Sequence, residues 1–248
     1  VVYKCLESNV GVASAHNVGI QYACDKGFEF VLLMDQDSVL IPGMVDTLLG
    51  AYTALTDQEE KVAAVGPLLV NPRDNSCAAF IRSDTYSVHK HYEGDGLVPW
   101  CEVDFVITSG ALIPLQVLDD VGGMDDALFI DCVDIEWGFR AEKKGYKSYG
   151  VFGAKMEHSI GEEPLRLFGG RKLLTMHEPL RHYYFYRNLV VLCKRPYPRM
   201  SWKIYVLSKS LMQWVIFSTM TDKPAQHCAM IIKGLYHGLK NKLGKYEA

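Results

Sequence analysis

Apolar and polar residues follow two periods along this chain, and these periods predict helices and strands in turn. Between Gly11 and Gly27 the apolar residues recur on one helical face, and Gly27 stands where a glycine commonly ends a helix. A continuous apolar run at 28–34 follows and predicts a buried strand. A second amphipathic helix is predicted from Pro42, and a second buried strand at 62–70.

This alternation predicts an α/β fold in which helices flank a mostly parallel sheet. Parallel strands are covered on both faces, so they read as continuous apolar runs like the two found here. Residues 71–100 are polar and lack a strong period, and we expect excursion loops or a small hairpin there. A further strand is predicted at 103–114, with a bend at Ser109 and Gly110.

Composition and charge narrow the class of protein. The 248 residues are 49% hydrophobic and 22% charged, which is enough apolar content for one sizeable core. A formal net charge of -3 and a pI near 6.3 give no sign of the basic face that nucleic acid requires, so nucleic acid is not an expected partner. Seven cysteines are scattered without a C-x-x-C pair, which argues against a zinc site and fits a reducing cytoplasm.

Two carboxylates one residue apart, Asp35 and Asp37, follow the first apolar run. Residues i and i+2 of an extended strand point to the same side, so both acids converge on one divalent cation in this reading. Ligands of α/β sheets collect at the carboxyl ends of strands, and a hard cation held there by oxygen atoms would grip a diphosphate. The alternative is a solvated turn, since Asp and Ser are ordinary turn formers.

A second acidic cluster precedes a predicted helix that is rich in Arg and Lys and ends at Gly145. Its acids are Asp131, Asp134 and Glu136, and capping of the helix start accounts for one or two of the three. Glu136 and Arg140 are spaced i,i+4, so Arg140 neutralises Glu136 while Asp134 stays free to accept a proton. Our hypothesis is that one acidic cluster serves a metal and the other supplies a base.

Five weak motifs in a fixed order carry a resemblance to a known family. They are Asn9-x-Gly11 with Asn17-x-Gly19, the segment 33–38 around Asp35 and Asp37, Thr108-Ser-Gly-Ala111, Gly122-Gly-Met-Asp-Asp126, and the segment 129–146. In this order and spacing, residues 1–195 resemble the family 2 GT-A glycosyltransferases, and within them the rhamnosyltransferases of bacterial surface polysaccharide assembly. The resemblance implies a GT-A (nucleotide-diphospho-sugar transferase) fold.

The resemblance also assigns roles around the first acidic cluster. It implies that Asp35 and Asp37 form a D-x-D motif, with Asp37 the more direct metal ligand and Asp35 nearer the sugar or ribose. Ser109 and Gly110 match the loop that lies under the donor sugar and the acceptor. His158 occupies the place where several members provide a third metal ligand, although a surface or core histidine is the alternative. The implied cofactor is a divalent metal, Mg or Mn.

Further roles are implied around the second cluster. Asp134 matches the acid that serves as general base, although Val133 stands before it where many members have Glu. Trp137 matches an aromatic position on the acceptor side, and we expect Glu136 to bind the acceptor beside it. Arg187 lies in an aromatic-Arg-Asn segment common in this branch, and its planar guanidinium suits a diphosphate of the donor. The tyrosines around Arg187 fit a core helix.

The predicted function is inverting transfer of a sugar, rhamnose from dTDP-rhamnose, onto a lipid-linked saccharide in cell-surface polysaccharide (O-antigen) synthesis. The partners are then a nucleotide-diphospho-sugar donor and a lipid-linked saccharide acceptor. A sugar-phosphate nucleotidyltransferase is one alternative, and it would release pyrophosphate instead of a nucleoside diphosphate. A non-catalytic, truncated relic or an assembly scaffold is the other alternative.

We expect two regions, a GT-A catalytic domain at 1–195 and a helical tail at 196–248. The catalytic domain is expected to be incomplete, because the chain starts at Val1 without the opening strand of the family. The tail is amphipathic and basic, which is typical of helices that lie on an anionic membrane. We therefore expect a cytoplasmic protein in peripheral contact with the inner face of the cell membrane, or a tail whose apolar faces pack on the catalytic domain.

Overall fold

The computed structural model describes residues 1–92, 98–158, 165–167, 172–174 and 176–247. Seven α-helices are described: Val12–Asp25 (α1), Met44–Asp57 (α2), Leu115–Val121 (α3), Val133–Lys143 (α4), Pro179–Lys194 (α5), Met200–Phe217 (α6) and Pro224–Leu239 (α7). The strands are Phe30–Leu32 (β1), Ser38–Leu40 (β2), Val62–Val70 (β3), Phe80–Ser83 (β4), Val88–His91 (β5), Trp100–Val103 (β6), Leu112–Pro114 (β7), Lys147–His158 (β8), Leu165–Leu167 (β9) and Lys172–Leu174 (β10). The predicted α/β class is confirmed.

The central sheet is mixed and has the strand order β1-β7-β3-β8-β2, with β6 also paired to β8. Among the described strands, β3 and β8 form the parallel pair, and the other pairings of this sheet are antiparallel. The expectation of a mostly parallel sheet is therefore wrong. A parallel pair needs a long crossover, such as the connection from β3 to β8 that contains α3 and α4. The small hairpin expected within 71–100 is present as β4 and β5.

The core lies on both faces of this sheet. On one face, α2 buries four side chains against β3 and β8, namely Met44, Leu48, Ala51 and Leu55. On the other face, α1, α3 and α4 pack around residues such as Ile20, Val117 and Phe139. Full burial of one Leu or Phe side chain contributes about 1.5 to 3 kcal/mol, so these layers fix the ends of β1 and β8 relative to each other.

Helix α1 starts against the segment that carries the second acidic cluster. Gly11, directly before α1, has φ +86, and a Cβ there would lie 2.5 Å from the carbonyl oxygen of Phe129. The same close approach lets the N–H of Ala13 donate to the Phe129 carbonyl at 3.3 Å. At the other side of the helix, the Asn17 amide donates to the Met124 carbonyl at 2.8 Å. The two Asn-x-Gly motifs therefore tie α1 to residues 124–129.

Helix α7 packs directly on α5 through two glycines. A Cβ at Gly234 would lie 2.5 Å from the carbonyl oxygen of Tyr183, and one at Gly238 would lie 2.6 Å from that of Arg187. This part of the tail thus packs on the rest of the protein. Helix α6 keeps an exposed apolar stripe of Met200, Ile204, Leu207, Leu211 and Val215. None of the helices in the described part of the chain has the length and hydropathy needed to cross a bilayer.

Candidate functional site

Strand pairing assembles the first acidic cluster. β2 runs antiparallel to the end of β8, so Ser38 lies opposite His158 and brings the D-x-D segment to that histidine. Asp35, Asp37 and His158 each place one ligand atom within 4.8 Å of the other two. His158 Nδ1 lies 3.7 Å from Asp37 Oδ1, and the Asp37 side chain is 53% exposed. The structure therefore brings together the three residues predicted to face a metal.

The chemistry of this donor set fits a divalent cation. Two carboxylates and one imidazole suit Mn, and the carboxylates also suit Mg, which prefers oxygen ligands. Because Asp37 is exposed and Asp35 only partly buried, ligand oxygens of a second molecule have access to the cluster.

Ser109 supports the D-x-D segment from beneath. Its hydroxyl lies 2.6 Å from the Ser38 hydroxyl and accepts a hydrogen bond from the Asp35 backbone N–H at 3.3 Å. The Ser38 hydroxyl also lies 2.7 Å from His158 Nδ1. The sharp bend that places Ser109 here depends on Gly110, which has φ +86 and no room for a Cβ, since Pro67 would be 2.6 Å away. Contact of Ser109 and Gly110 with a donor sugar stays a prediction.

His16 is a residue of this site that the sequence reasoning missed. It lies on α1, and burial lowers its pKa while the nearby carboxylate of Asp35 opposes that shift. Its Nδ1 atom is buried and has no hydrogen-bond partner among the described residues. His16 therefore lies close enough to Asp35 for the two side chains to interact. The sequence signal was its position one residue before the Asn17-x-Gly19 motif.

Asp134 lies in the first turn of α4. Burial raises its pKa to about 6, and the negative charges of Asp131 and Asp35 act in the same direction. The backbone N–H of Ile135 donates to the carboxylate at 2.8 Å and opposes the shift. Asp35 is therefore close enough to Asp134 for its charge to act on that carboxyl group. A carboxyl group with a pKa near the working pH suits proton abstraction.

The segment before Asp134 has an unusual backbone that α5 holds in place. Phe129, Asp131 and Cys132 have φ values of 66, 65 and 61, which L side chains rarely adopt. The fully buried amide of Asn188 donates to three carbonyl oxygens of residues 128–131 at 2.8 to 2.9 Å. Asn188 therefore fixes the strained turn from which Asp134 projects.

The structure corrects the assignment of Arg187 to the donor diphosphate. Arg187 is fully buried, and its guanidinium donates to the carbonyls of Leu128 at 2.7 Å and Gly244 at 2.5 Å. The same group lies 5.0 Å from the ring centre of Tyr184. These contacts use the guanidinium inside the protein, because the aromatic face of α5 is a core face.

The structure also corrects the acceptor-side roles of Glu136 and Trp137. Glu136 is fully buried and pairs with Arg140 at 2.8 Å, as its spacing predicted, and with Arg195 at 2.5 Å. Trp137 is 3% exposed, and its indole N–H donates to the Gly122 carbonyl at 2.9 Å. In an α-helix, residues two positions apart point in nearly opposite directions, so when Asp134 faces the cleft Glu136 faces the core.

A cation missed from the sequence lies beside the second cluster. Arg181 Nε is 3.2 Å from Asp131 Oδ1, and the Arg181 side chain is 47% exposed. Burial raises the pKa of Asp131, and Arg181 opposes that rise. The Asp131 Oδ2 atom is buried without a partner among the described residues. Arg181 and Asp131 are 50 positions apart, so no local pattern revealed the pair.

Known proteins are similar to this chain in sequence and in fold. No family model matches the chain. Over 194 residues the chain is 32% identical to the dTDP-rhamnosyl transferase RfbF of Shigella flexneri, which covers 77% of this chain and 62% of that protein. The chain thus spans less than two thirds of the length of this curated relative.

Solved structures share the fold at low sequence identity. The crystal structure of GalNAc-T7 with UDP, GalNAc and Mn²⁺ has a TM-score of 0.55 at 12% identity, over 95% of this chain and 44% of that one. That of S. aureus TarS has a TM-score of 0.52 at 14% identity, over 95% of this chain and 38% of that one. The chain is therefore similar in sequence to a dTDP-rhamnosyl transferase and shares the GT-A fold of these glycosyltransferase structures.

Proposed function

We propose that the chain transfers a sugar, rhamnose from dTDP-rhamnose, to a hydroxyl group of a lipid-linked saccharide. The observation that carries the proposal is the Asp35, Asp37 and His158 cluster together with the Asp134 carboxyl group, whose pKa is raised to about 6 and is influenced by the charge of Asp35. These features support a base near a candidate metal site. The donor is the one named for the similar dTDP-rhamnosyl transferase of Shigella flexneri.

In this mechanism Asp37 and His158, with Asp35, would hold Mg or Mn. A bound divalent ion supplies positive charge that stabilises the leaving nucleoside diphosphate. Asp134 removes the proton of the acceptor hydroxyl while that oxygen attacks the anomeric carbon. The new C–O bond forms on the face opposite the departing diphosphate oxygen, so the anomeric centre inverts. Ser109 and Asn188 have positioning roles. Ser109 holds the D-x-D segment in place, and Asn188 holds the turn before Asp134.

The test is transfer of labelled rhamnose. The protein is incubated with dTDP-rhamnose, Mg²⁺ or Mn²⁺ and bacterial membranes, and label in the extractable lipid fraction is measured together with free dTDP. We expect metal-dependent label and equimolar dTDP, both lost on addition of EDTA. Formation of dTTP and rhamnose 1-phosphate from dTDP-rhamnose when pyrophosphate is added, without dTDP, would support a nucleotidyltransferase. Binding of dTDP-rhamnose without any turnover would support the non-catalytic alternative.

We also propose that α6 and the basic tail contact an anionic membrane surface. Residues 196–248 contain eight Lys or Arg and two acidic residues, although the whole chain has a net charge of -3. Cations beside the exposed apolar stripe of α6 favour anionic lipid and oppose association with a second copy. Wild type should sediment with phosphatidylglycerol vesicles and not with phosphatidylcholine vesicles, and Leu211→Glu should weaken this at least about tenfold. Equal sedimentation of both proteins would refute the contact.

A further inference from the structure

Two buried polar atoms without partners line one small cavity next to the second acidic cluster. They are Asp131 Oδ2 and His182 Nε2, and they belong to five such side-chain atoms among the described residues. The cavity, of about 140 Å³, lies between α5 and α6 and is also lined by Arg181 and Gln213. An unpaired buried polar atom costs about 1 to 3 kcal/mol, so this cavity is built to receive polar groups.

The lining has the chemistry of a site for a neutral sugar. Asp131 accepts hydrogen bonds, Arg181 donates them, and Gln213 does both, while aromatic side chains, including Phe185, form the remaining wall. His182 is 4% exposed, and burial, followed by its neighbours His227 and His177, lowers its pKa to about 3. Its ring is therefore neutral at physiological pH. A neutral imidazole has one nitrogen that donates and one that accepts a hydrogen bond, so it can bind a hydroxyl group in either role.

The size and position of the cavity fit one sugar ring. A volume of about 140 Å³ suits a single sugar ring and is far too small for an oligosaccharide. Asp131 lies three residues before Asp134 and its charge acts on that carboxyl group. A sugar seated against Asp131 would therefore be next to the proposed base. Arg181, half exposed at the rim, leaves the cavity accessible.

A larger cavity on the far side of Ser109 does not share these properties. Its volume is about 280 Å³, and Lys90, Lys209 and Tyr205 stand at its border. Lys90 already lies over the Tyr205 ring, and Ser109 is bonded to Ser38. Among the described residues, none of the buried atoms without a partner lines it. The smaller cavity is therefore the stronger candidate for a polar ligand.

We propose that the cavity formed by Asp131, Arg181, His182 and Gln213 is the subsite that binds the terminal sugar ring of the acceptor. This inference rests on the proposed transferase function. It assigns α6, part of the tail, to substrate recognition, because Gln213 belongs to that helix. The hydroxyl groups of the ring satisfy Asp131 Oδ2 and His182 Nε2, and the aromatic wall covers the apolar face of the ring.

The test fills the cavity from α6. Saturation-transfer NMR is recorded with the methyl glycosides of rhamnose, galactose and N-acetylglucosamine, with excess dTDP present to keep them out of the donor site. We expect wild type to bind at least one glycoside. Gln213→Trp should lose that binding at least about tenfold, whereas Met212→Trp, at the neighbouring position that is 47% exposed, should retain it.

Further measurements separate the two proposals and guard against misfolding. Circular dichroism and dTDP binding should be unchanged in both variants. Binding of a glycoside by wild type and by Gln213→Trp alike would overturn the subsite, as would no binding of any glycoside by wild type at 20 mM (roughly the weakest useful range for one ring). Failure of dTDP binding in wild type, with glycoside binding intact, would instead count against the transferase and leave a saccharide site. Asp131→Asn provides a milder variant, with an expected loss of about three- to tenfold.

Discussion

Each of the two acidic clusters contains a pair of acids one residue apart, but the two pairs differ in how their side chains are buried. Asp35 and Asp37 both contribute to the candidate metal cluster, whereas of the neighbouring acids in the second cluster Asp134 is partly exposed and Glu136 is fully buried. Side chains two residues apart share one side of an extended segment but point about 200° apart on an α-helix. The same spacing of acids thus converges at a strand tip and diverges at a helix start.

The substitution Asp134→Asn has the largest expected effect and tests whether this acid is the base. If Asp134 is the acid of the second cluster that does chemistry, rhamnose transfer should fall by about 10²- to 10⁴-fold, because the amide cannot take the proton. Binding of dTDP-rhamnose, measured by calorimetry, should change by less than about threefold. Asp119→Asn, at an exposed position on α3, is the matched control and should keep full activity. Transfer within a few-fold of wild type would remove Asp134 from the mechanism.

The substitution Glu136→Gln tests whether the buried Glu136 stabilises the fold. It leaves Arg140 and Arg195 beside a buried neutral group, and we expect the free energy of unfolding to drop by about 3 to 5 kcal/mol. Urea denaturation measures the change, and Glu29→Gln at an exposed position should stay within about 0.5 kcal/mol of wild type. Unchanged stability together with a raised KM for the acceptor would instead restore the acceptor role first assigned to Glu136.

Asp37→Asn addresses the strand-tip cluster. Loss of one charged ligand should weaken Mn²⁺ binding by at least about tenfold, since even a residue that only orients a ligand contributes that much. Electron paramagnetic resonance of free Mn²⁺ gives the affinity. Asp46→Asn, an exposed acid in the first turn of α2, should leave it unchanged. An equal loss in both variants would indicate a diffuse charge effect in place of a site.

The pH dependence of transfer sharpens the contrast further. The pKa of Asp134 is raised to about 6, and a base works only when ionised, so activity is present above that value and is lost as the pH falls through it. From pH 7.5 to pH 5, kcat/KM should therefore fall about tenfold, as an ionised fraction near one falls to about one tenth. A flat profile over this range would contradict the assignment.

Trp137→Phe carries the smallest expected effect. The variant loses the hydrogen bond from the indole to the Gly122 carbonyl and part of a core side chain, and we expect it to lose about 1 to 2 kcal/mol of stability. The KM for the acceptor should not change, because Trp137 is buried. A large rise in that KM at constant stability would return Trp137 to the acceptor side.

Local patterns were sufficient for much of the fold and for the strand-tip cluster. The helix that ends near Gly27, the strand Val62–Val70 and the helix that ends before Gly145 depend on residues close in sequence, and the structure confirms them. Asp35 and Asp37 needed only the period of a strand. His158 came from the family resemblance, and the physical reason for its place is the pairing of β2 with β8, which is a long-range contact.

The remaining features depend on which helix face meets the core. The sequence does contain a signal at α4, because Glu136 stands three residues after buried Val133 and one before Trp137 on the same face. For α5, the burial of Arg187 follows from carbonyl groups of residues 127–128 and of Gly244, which are far away in sequence. The directions of the sheet strands and the place of His16 beside Asp35 likewise arise only from tertiary packing.

Arg187 connects two parts of the chain by hydrogen bonds, namely the segment around Gly244 and the segment before Asp134. One guanidinium spans the Leu128 carbonyl, near the strained turn, and the Gly244 carbonyl, four residues from the last position. Deleting the segment around Gly244 would remove one of these two contacts of Arg187 and loosen the turn that precedes Asp134.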